Sequence, residues 1–278
     1  MEKSKLAYVF GMISNVKNFI YPLMDFFFPN LIKKNYVIET RTGLKLWIRP
    51  KRNKIVGDID ILIEILIENQ YKLGKLIKPN YTVIDIGGQA GFFSTMASKI
   101  VGNNGKVYVF EPSKSNFNEL IKNVKLNNLK NIVAHNLAVS KSEGKLKFFI
   151  SEENVGAHSL LNDANKRFTE VKSTSLKKIF CENNLKKVNF LKMDCEGSEY
   201  EILLESPIST LKKIDTIILE QHITHYTKKY DKDSIICRLK SAGFHIQILK
   251  QIYYEKEGNF LIILARQKNK KDSIIEED

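Results

Sequence analysis

Short apolar runs rich in β-branched residues alternate with longer stretches whose apolar positions fall three or four apart, from residue 81 to residue 265. The first pattern marks buried strands and the second marks amphipathic helices. Their alternation predicts a parallel sheet with crossover helices on both faces. Strands are predicted at 81–86, 106–110, 132–135, 188–193, 216–219, 244–249 and 260–265, with an added strand at 145–150. Helices are predicted at 90–101, 114–127, 174–183, 197–205 and 231–242, and Ser113 is placed to cap the second. The link at 250–259 is short enough for a hairpin, so the last strand should run antiparallel. The expected fold class is α/β, a seven-stranded mostly parallel sheet with an antiparallel last strand. Residues 151–170 read as a polar insertion.

The first 78 residues carry a different pattern. Val9, Phe10, Ile13, Val16, Phe19, Ile20 and Leu23 recur at helical spacing, and Phe26, Phe27 and Phe28 follow just before Pro29. One or two amphipathic helices are predicted there, foremost as a layer packed on the chain's own core. A dimer contact, or a peripheral membrane anchor helped by Lys3, Lys5 and Lys17, is the alternative use. Residues 36–40 and 44–48 read as a hairpin around Thr42-Gly43, and 58–73 as a helix capped by Asp58. Three segments result: a helical and hairpin extension (1–78), the main domain (79–267) and a charged, disordered tail (268–278).

Composition changes this picture little. With 43% hydrophobic and 27% charged residues, the 278-residue chain is an ordinary globular one. Its formal charge of +13 invites an acidic partner. However, the lysines are spread along the chain with no dense basic run interleaved with aromatics, which argues against nucleic acid. Cys181, Cys195 and Cys237 are too few and too scattered for a disulfide framework or a zinc site, which points to the reducing cytoplasm. The apolar patches of 8–28 are broken by Asn15, Lys17, Asn18, Pro22 and Asp25, so no membrane span is predicted.

The chemistry gathers at strand ends, where open α/β sheets bind ligands. Thr82 to Ser94 reads as strand, acid, glycine turn and helix start. The dinucleotide pattern G-x-G-x-x-G fails, because Gln89 and Phe92 stand where glycine is needed. What remains is D-x-G-x-x-x-G, with Asp85 on the strand. A carboxylate there repels pyrophosphate and suits a cationic amino-acid group, which points to S-adenosylmethionine. Glu111, in Phe110-Glu111-Pro112, ends the next strand, where a carboxylate can accept both hydroxyls of a ribose. Asn136 follows the third strand and could meet an adenine edge. Asp194, Glu196 and Glu199 crowd the end of the fourth; they could hold a substrate, take its proton or bind a hard metal, but no further metal ligand is identifiable. His222, after the fifth strand, is a candidate base with His225 close by.

Asp85-Ile86-Gly87-Gly88-Gln89-Ala90-Gly91-Phe92-Phe93-Ser94, Phe110-Glu111-Pro112, Lys192-Met193-Asp194-Cys195-Glu196-Gly197-Ser198-Glu199 and Leu219-Glu220-Gln221-His222 occur in order. Over about 80–266 the chain resembles the FkbM-type S-adenosylmethionine-dependent methyltransferases, of the class I superfamily with its Rossmann-like sheet. Gly88 and Gln89 depart from that family's motif, which often has Ala and Asn there. The resemblance implies O-methylation, often of sugar hydroxyls in glycans, glycolipids or natural products. Asp85, Gly87, Gly88, Gly91, Glu111 and Asn136 are then the expected cofactor residues. Asp194 and Glu196 would position or deprotonate the acceptor, with His222 as the other base, and no metal is assigned. His158 and Ser159 could close over the site as a lid. Two rivals are an RNA or DNA methyltransferase and a non-catalytic cofactor binder. The first lacks its usual Asp/Asn-Pro-Pro-aromatic loop, since Asp194-Cys195-Glu196-Gly197 stands there.

Overall fold

A computed structural model describes residues 5–53, 56–150, 167–223, 227, 230–254 and 258–267. Lys3, His158, Ser159, His225, most of the 151–170 insertion and the tail from 268 lie outside the described residues.

Two helices, α1 (Lys5–Asn15) and α2 (Ile20–Phe27), precede a hairpin of β1 (Tyr36–Glu39) and β2 (Lys45–Ile48). Next come α3 (Asp58–Leu66) and the single turn α4 (Leu73–Leu76). The alternating part holds β3 (Thr82–Ile86), α5 (Phe92–Val101), β4 (Lys106–Phe110), α6 (Lys114–Leu126) and β5 (Ile132–His135). Three strands outside the main sheet follow: β6 (Ala138–Ser140), β7 (Gly144–Phe149) and β8 (Phe168–Ser175). Then come α7 (Leu176–Glu182), β9 (Val188–Met193), α8 (Glu199–Glu205), α9 (Ile208–Leu211) and β10 (Ile214–Ile223). The last elements are α10 (Ser234–Ser241), β11 (Phe244–Tyr254) and β12 (Gly258–Gln267).

The main sheet has seven strands in the order β11-β12-β10-β9-β3-β4-β5. Its pairs are parallel except that β12, slotted between β10 and β11, is antiparallel to both. The expected Rossmann-like class is therefore the observed one. Strand order reverses at β3, whose neighbours are β4 and β9. That switch point opens a crevice at the carboxyl ends of these strands.

The two faces of the sheet are covered differently. Val83 and Val107 point to one side, Ile84 and Tyr108 to the other, as period two requires. The second face packs on α7, α8 and α10 through Leu176, Ile179, Tyr200, Leu203, Ile235 and Leu239. The first face shares one core with α5 and with the N-terminal layer, including Met12, Val16, Ile38, Leu46, Ile48, Ile59 and Leu62. The N-terminal helices thus pack on the chain's own core.

Several boundaries differ from expectation. The 58–73 helix stops at Leu66, because Asn69 and Lys72 take left-handed φ angles of 49° and 51°. Asp58 is not its cap. Gly57 holds that position, Asp60 accepts the Gly57 N–H at 2.7 Å, and buried Asp58 instead grips Arg49 through Nε (3.0 Å) and Nη2 (2.6 Å). The added strand 145–150 is one of three in a separate sheet, β6-β8-β7. Half of β8 is exposed and most of it is polar, which leaves no apolar alternation to set it apart from the insertion. Finally, β10 runs four residues past Leu219, held by β12 through Ile223↔Asn259. This extension puts Glu220 and His222 on a strand instead of a loop.

Candidate active site

The glycine turn is bolted to both neighbouring strands. The N–H groups of Gly87 and Gly88 donate to the Phe110 carbonyl at 3.0 and 3.1 Å, and the Asp194 N–H donates to the Ile86 carbonyl at 3.0 Å. Gly87 has φ +81°, and a Cβ there would lie 1.7 Å from the Asp194 carbonyl oxygen. No side chain fits. Gly91, also at +81°, starts α5, and its Cβ would press Leu120. Gly88 is tight for another reason: the Val109 side chain occupies the space a Cβ would take, at 2.2 Å.

Asp85 is fully buried and already meets a cation of this chain. Its Oδ2 accepts from Ser94 at 2.6 Å, and its Oδ1 lies 3.3 Å from Lys192 Nζ. Lys192, also buried, donates to the Gly87 carbonyl at 2.8 Å and stands 3.6 Å from Asp194 Oδ2. Its ammonium lies over the rings of Tyr71 (5.2 Å) and Phe93 (5.9 Å). Burial pushes the Lys192 ammonium down, but Asp85, then Asp194 and Glu220, outweigh it and leave the group above its ordinary range. In the sequence Lys192 is a lone charge in an apolar strand; only the fold shows that it pins the glycine turn.

Glu111, at the tip of β4, is buried, and its two oxygens accept the N–H groups of Ser113 and Gln89, each at 2.8 Å. Burial raises it to about 7, against the pull of those two donors. Asn136 spends both amide hydrogens on the Glu111 and Pro112 carbonyls, at 2.8 and 2.9 Å. Only its Oδ1 remains for a ligand.

Across the crevice, the turn after β9 places Glu196 at φ +55° and Gly197 at +97°. A left-handed glutamate costs of order 1 kcal/mol, and such strain tends to cluster at functional sites. Glu199 is fully buried; its Oε1 accepts the Cys195 N–H at 2.8 Å and sits 3.3 Å from His222 Nδ1. His222 Nε2 is 3.6 Å from Glu196 Oε2. Burial lifts Glu196 to about 8 despite the attraction of His222. Burial depresses His222, but Glu196 and then Glu199 more than reverse this and hold the imidazole well above its usual range.

Two further residues, Tyr71 and Gln70, had no signal in sequence. The Tyr71 hydroxyl lies 3.0 Å from Asp194 Oδ2 and 2.6 Å from Glu220 Oε1, and Gln70 Nε2 also donates to Glu220. Burial, with Asp194 adding to it, raises Glu220 to about 7. Asp194, Glu220 and His222 each offer a ligand atom within 4.8 Å of the others. Glu220 and His222 both come from β10. The structure unites Asp194, Glu196 and His222 on this side, and the glycines, Asp85, Glu111 and Asn136 on the other.

Residues 85–246 match the methyltransferase FkbM domain, more than half of the chain. Methyltransferase 1 of Beauveria bassiana (strain ARSEF 2860) is 22% identical over 226 residues, spanning 73% of this chain and 88% of that protein. Among solved structures, a SAM-dependent methyltransferase from Aquifex aeolicus is similar at 16% identity, covering 74% of this chain and 94% of its own, with a TM-score of 0.40. TYW2 of M. jannaschii in complex with AdoMet is similar at 13% identity, with coverages of 85% and 87% and a TM-score of 0.45. A putative rRNA methylase from Clostridium thermocellum is 12% identical, with coverages of 72% and 95% and a TM-score of 0.47. At these identities and scores nothing about an acceptor passes to this chain. Since the matched domain runs from the glycine turn through both acidic strand ends, the chain belongs to the FkbM methyltransferase family and is an S-adenosylmethionine-dependent methyltransferase.

Proposed function

We propose that this enzyme methylates a hydroxyl oxygen, and that the acceptor is a carbohydrate. The observation that carries the reading is the partly buried Glu196–His222 pair beside Asp194 at the mouth of the switch point. An acceptor hydroxyl must be aligned and relieved of its proton, and this pair has a carboxylate and an imidazole within reach. The donor set also fits the cofactor. Glu111 offers a carboxylate to ribose hydroxyls, and the acidic mouth suits a ligand bearing ammonium and sulfonium charges. When bound, the cofactor supplies a methyl group made electrophilic by the sulfonium. The chain does the rest: Gly87, Gly88 and Gly91 let the backbone approach closely, Asn136 keeps Oδ1 for the base, and Asp85 acts through Lys192 to hold the turn. Asp194 orients the acceptor and Glu196 takes its proton, with His222 steadying that carboxylate.

The test is transfer from methyl-labelled cofactor to parallel carbohydrate, glycolipid, RNA and protein acceptors. Base-stable label should appear in the carbohydrate-bearing fractions, and Glu196→Gln should lower kcat about 100-fold while cofactor binding is kept. Label confined to RNA, or cofactor binding without turnover, would favour one of the rivals.

Glu111 adds a pH dependence. Only the ionised carboxylate accepts both ribose hydroxyls, and in the free protein it ionises near 7. Affinity for S-adenosylhomocysteine should therefore weaken as pH falls below 7, by up to about tenfold per unit. Calorimetry from pH 8 to 5.5 should show that slope in the wild type and a flat line in Glu111→Gln. In the ligand-free protein the sign is opposite. A carboxyl raised from 4.5 stabilises the fold below 4.5 relative to higher pH, and this is lost as pH rises through 7.

The N-terminal helices suggest where such an acceptor is met. Leu6, Phe10, Ile20, Tyr21, Phe28 and Leu31 are exposed, and Lys5, Lys33 and Lys34 stand nearby in the chain. Apolar groups bordered by lysines, on a chain of charge +13, suit an anionic membrane surface. Phe10→Glu with Ile20→Glu should abolish co-sedimentation with phosphatidylglycerol vesicles. Equal binding by wild type and variant would refute the contact. Among the described residues no helix is long and apolar enough to cross a membrane.

A further inference from the structure

We infer that Asp194, Glu220 and His222 form a binding site for a divalent cation of the Mg²⁺ or Mn²⁺ kind, which would hold the acceptor oxygen. Two carboxylates and an imidazole, each offering an atom within 4.8 Å of the others, are a three-ligand set that leaves coordination positions open. An octahedral ion with bonds of about 2.1 Å holds its ligands about 3–4 Å apart. The partly exposed Asp194 side chain can close the remaining gap by a small torsion.

Two features outside the triad point the same way. The first is Tyr71. Its hydroxyl stands within hydrogen-bond distance of both Asp194 and Glu220 but has one hydrogen to give. With both carboxylates ionised, one carboxylate oxygen faces the phenol oxygen with no hydrogen between, a contact that a shared cation relieves. Glu220, only 7% exposed, directs its observed contacts to Oε1 and leaves Oε2 with none among the described residues. The second is the orientation of His222. Buried Glu199 lies 3.3 Å from Nδ1 and sets the ring, while Nε2 stays 3.6 Å from Glu196, too far for a hydrogen bond. A carboxylate behind one imidazole nitrogen, with the other turned to a group of acids, is how metal-binding histidines are held.

The ion would coordinate the acceptor hydroxyl and lower its pKa, leaving Glu196 to remove the proton. An acceptor with a second oxygen beside the first would occupy two positions, which favours vicinal diols. This consequence for the acceptor rests on the hydroxyl-methylation reading; the binding of the ion does not.

The test is titration of the full-length protein with Mn²⁺, followed by electron paramagnetic resonance. One ion per chain should bind, its spin-echo modulation should carry an imidazole nitrogen coupling, and Mg²⁺ should displace it. Glu220→Gln and His222→Gln should weaken binding at least tenfold, whereas Tyr71→Phe should keep it. Absence of tight Mn²⁺ binding by the wild type, or a signal with no nitrogen coupling, would overturn the site whatever the variants do. Methylation of carbohydrate that persists in EDTA would also overturn it while sparing the functional reading. Nitrogen-coupled Mn²⁺ without carbohydrate methylation would uphold the site and sink that reading.

Discussion

Lys192→Met should destabilise the protein by about 3–5 kcal/mol and all but abolish methyl transfer, although Lys192 sits behind the glycine turn. The substitution keeps the length of the side chain and removes only its ammonium. Asp85, fully buried, then loses the charge 3.3 Å away, and the Gly87 carbonyl loses its donor. The first loss is the energetic one, because a carboxylate stripped of its partner inside the core must stay ionised at great cost or take up a proton. The second is functional. With its carbonyl released, the turn is free to shift, and a misplacement of an ångström near a reacting centre costs about 100-fold in rate. Urea denaturation and cofactor calorimetry separate the two effects. Adding Asp85→Asn should recover most of the stability, since no buried charge is left, and should not recover activity. A single variant with wild-type stability and affinity would show that the buried pair does not hold the turn.

Gly87→Ala is expected to be at least as damaging. A positive φ alone costs an alanine about 1 kcal/mol. Steric overlap costs more: the new methyl would lie 1.7 Å from the Asp194 carbonyl oxygen. This is backbone, so β3 and β9 must part at the point where the cofactor turn and the acidic turn meet. Cofactor affinity should fall about 100-fold or more, equivalent to roughly 3 kcal/mol. Gly88→Ala is the control. Its methyl meets a side-chain methyl of Val109, which a smaller residue can vacate. Val109→Ala should therefore rescue Gly88→Ala and leave Gly87→Ala unrescued. Circular dichroism on each variant separates loss of the site from loss of the fold, and rescue of both glycines would refute the backbone clash. The same contact accounts for glycine at 88, where related motifs often carry alanine: the neighbouring strand has Val109 in that space.

The acidic side of the site was only half legible. Asp194, Glu196 and Glu199 are contiguous with a strand end, so their clustering follows from local order alone. Glu220 and His222 were harder to assign because the apolar run of β10 ends at Leu219. The strand continues to Ile223 only because β12 supplies backbone partners from about forty residues further on. Tyr71 was beyond reach for a stronger reason. It lies between two short helices at the edge of the N-terminal layer, and nothing in its neighbours announces that its hydroxyl meets two carboxylates more than 120 residues away.

The sequence by itself determined the class of fold and the strand–glycine-turn–helix order at β3. Each rests on local rules: β-branched runs for buried strands, 3.6-residue periodicity for helices, and glycines at 87 and 91 where the backbone must take φ near +81°. Tertiary structure alone decided the partners. Asp85 reads as a carboxylate awaiting a cationic ligand, yet the fold gives it Lys192 from the adjacent strand. Asn136 reads as a contact for adenine, yet its amide hydrogens brace the Glu111 turn. Asp194, clustered in the linear order with Glu196 and Glu199, also becomes one corner of a group with Glu220 and His222. A side chain's type is local, but its counter-charge and hydrogen-bond partners come from whichever strand the sheet places beside it.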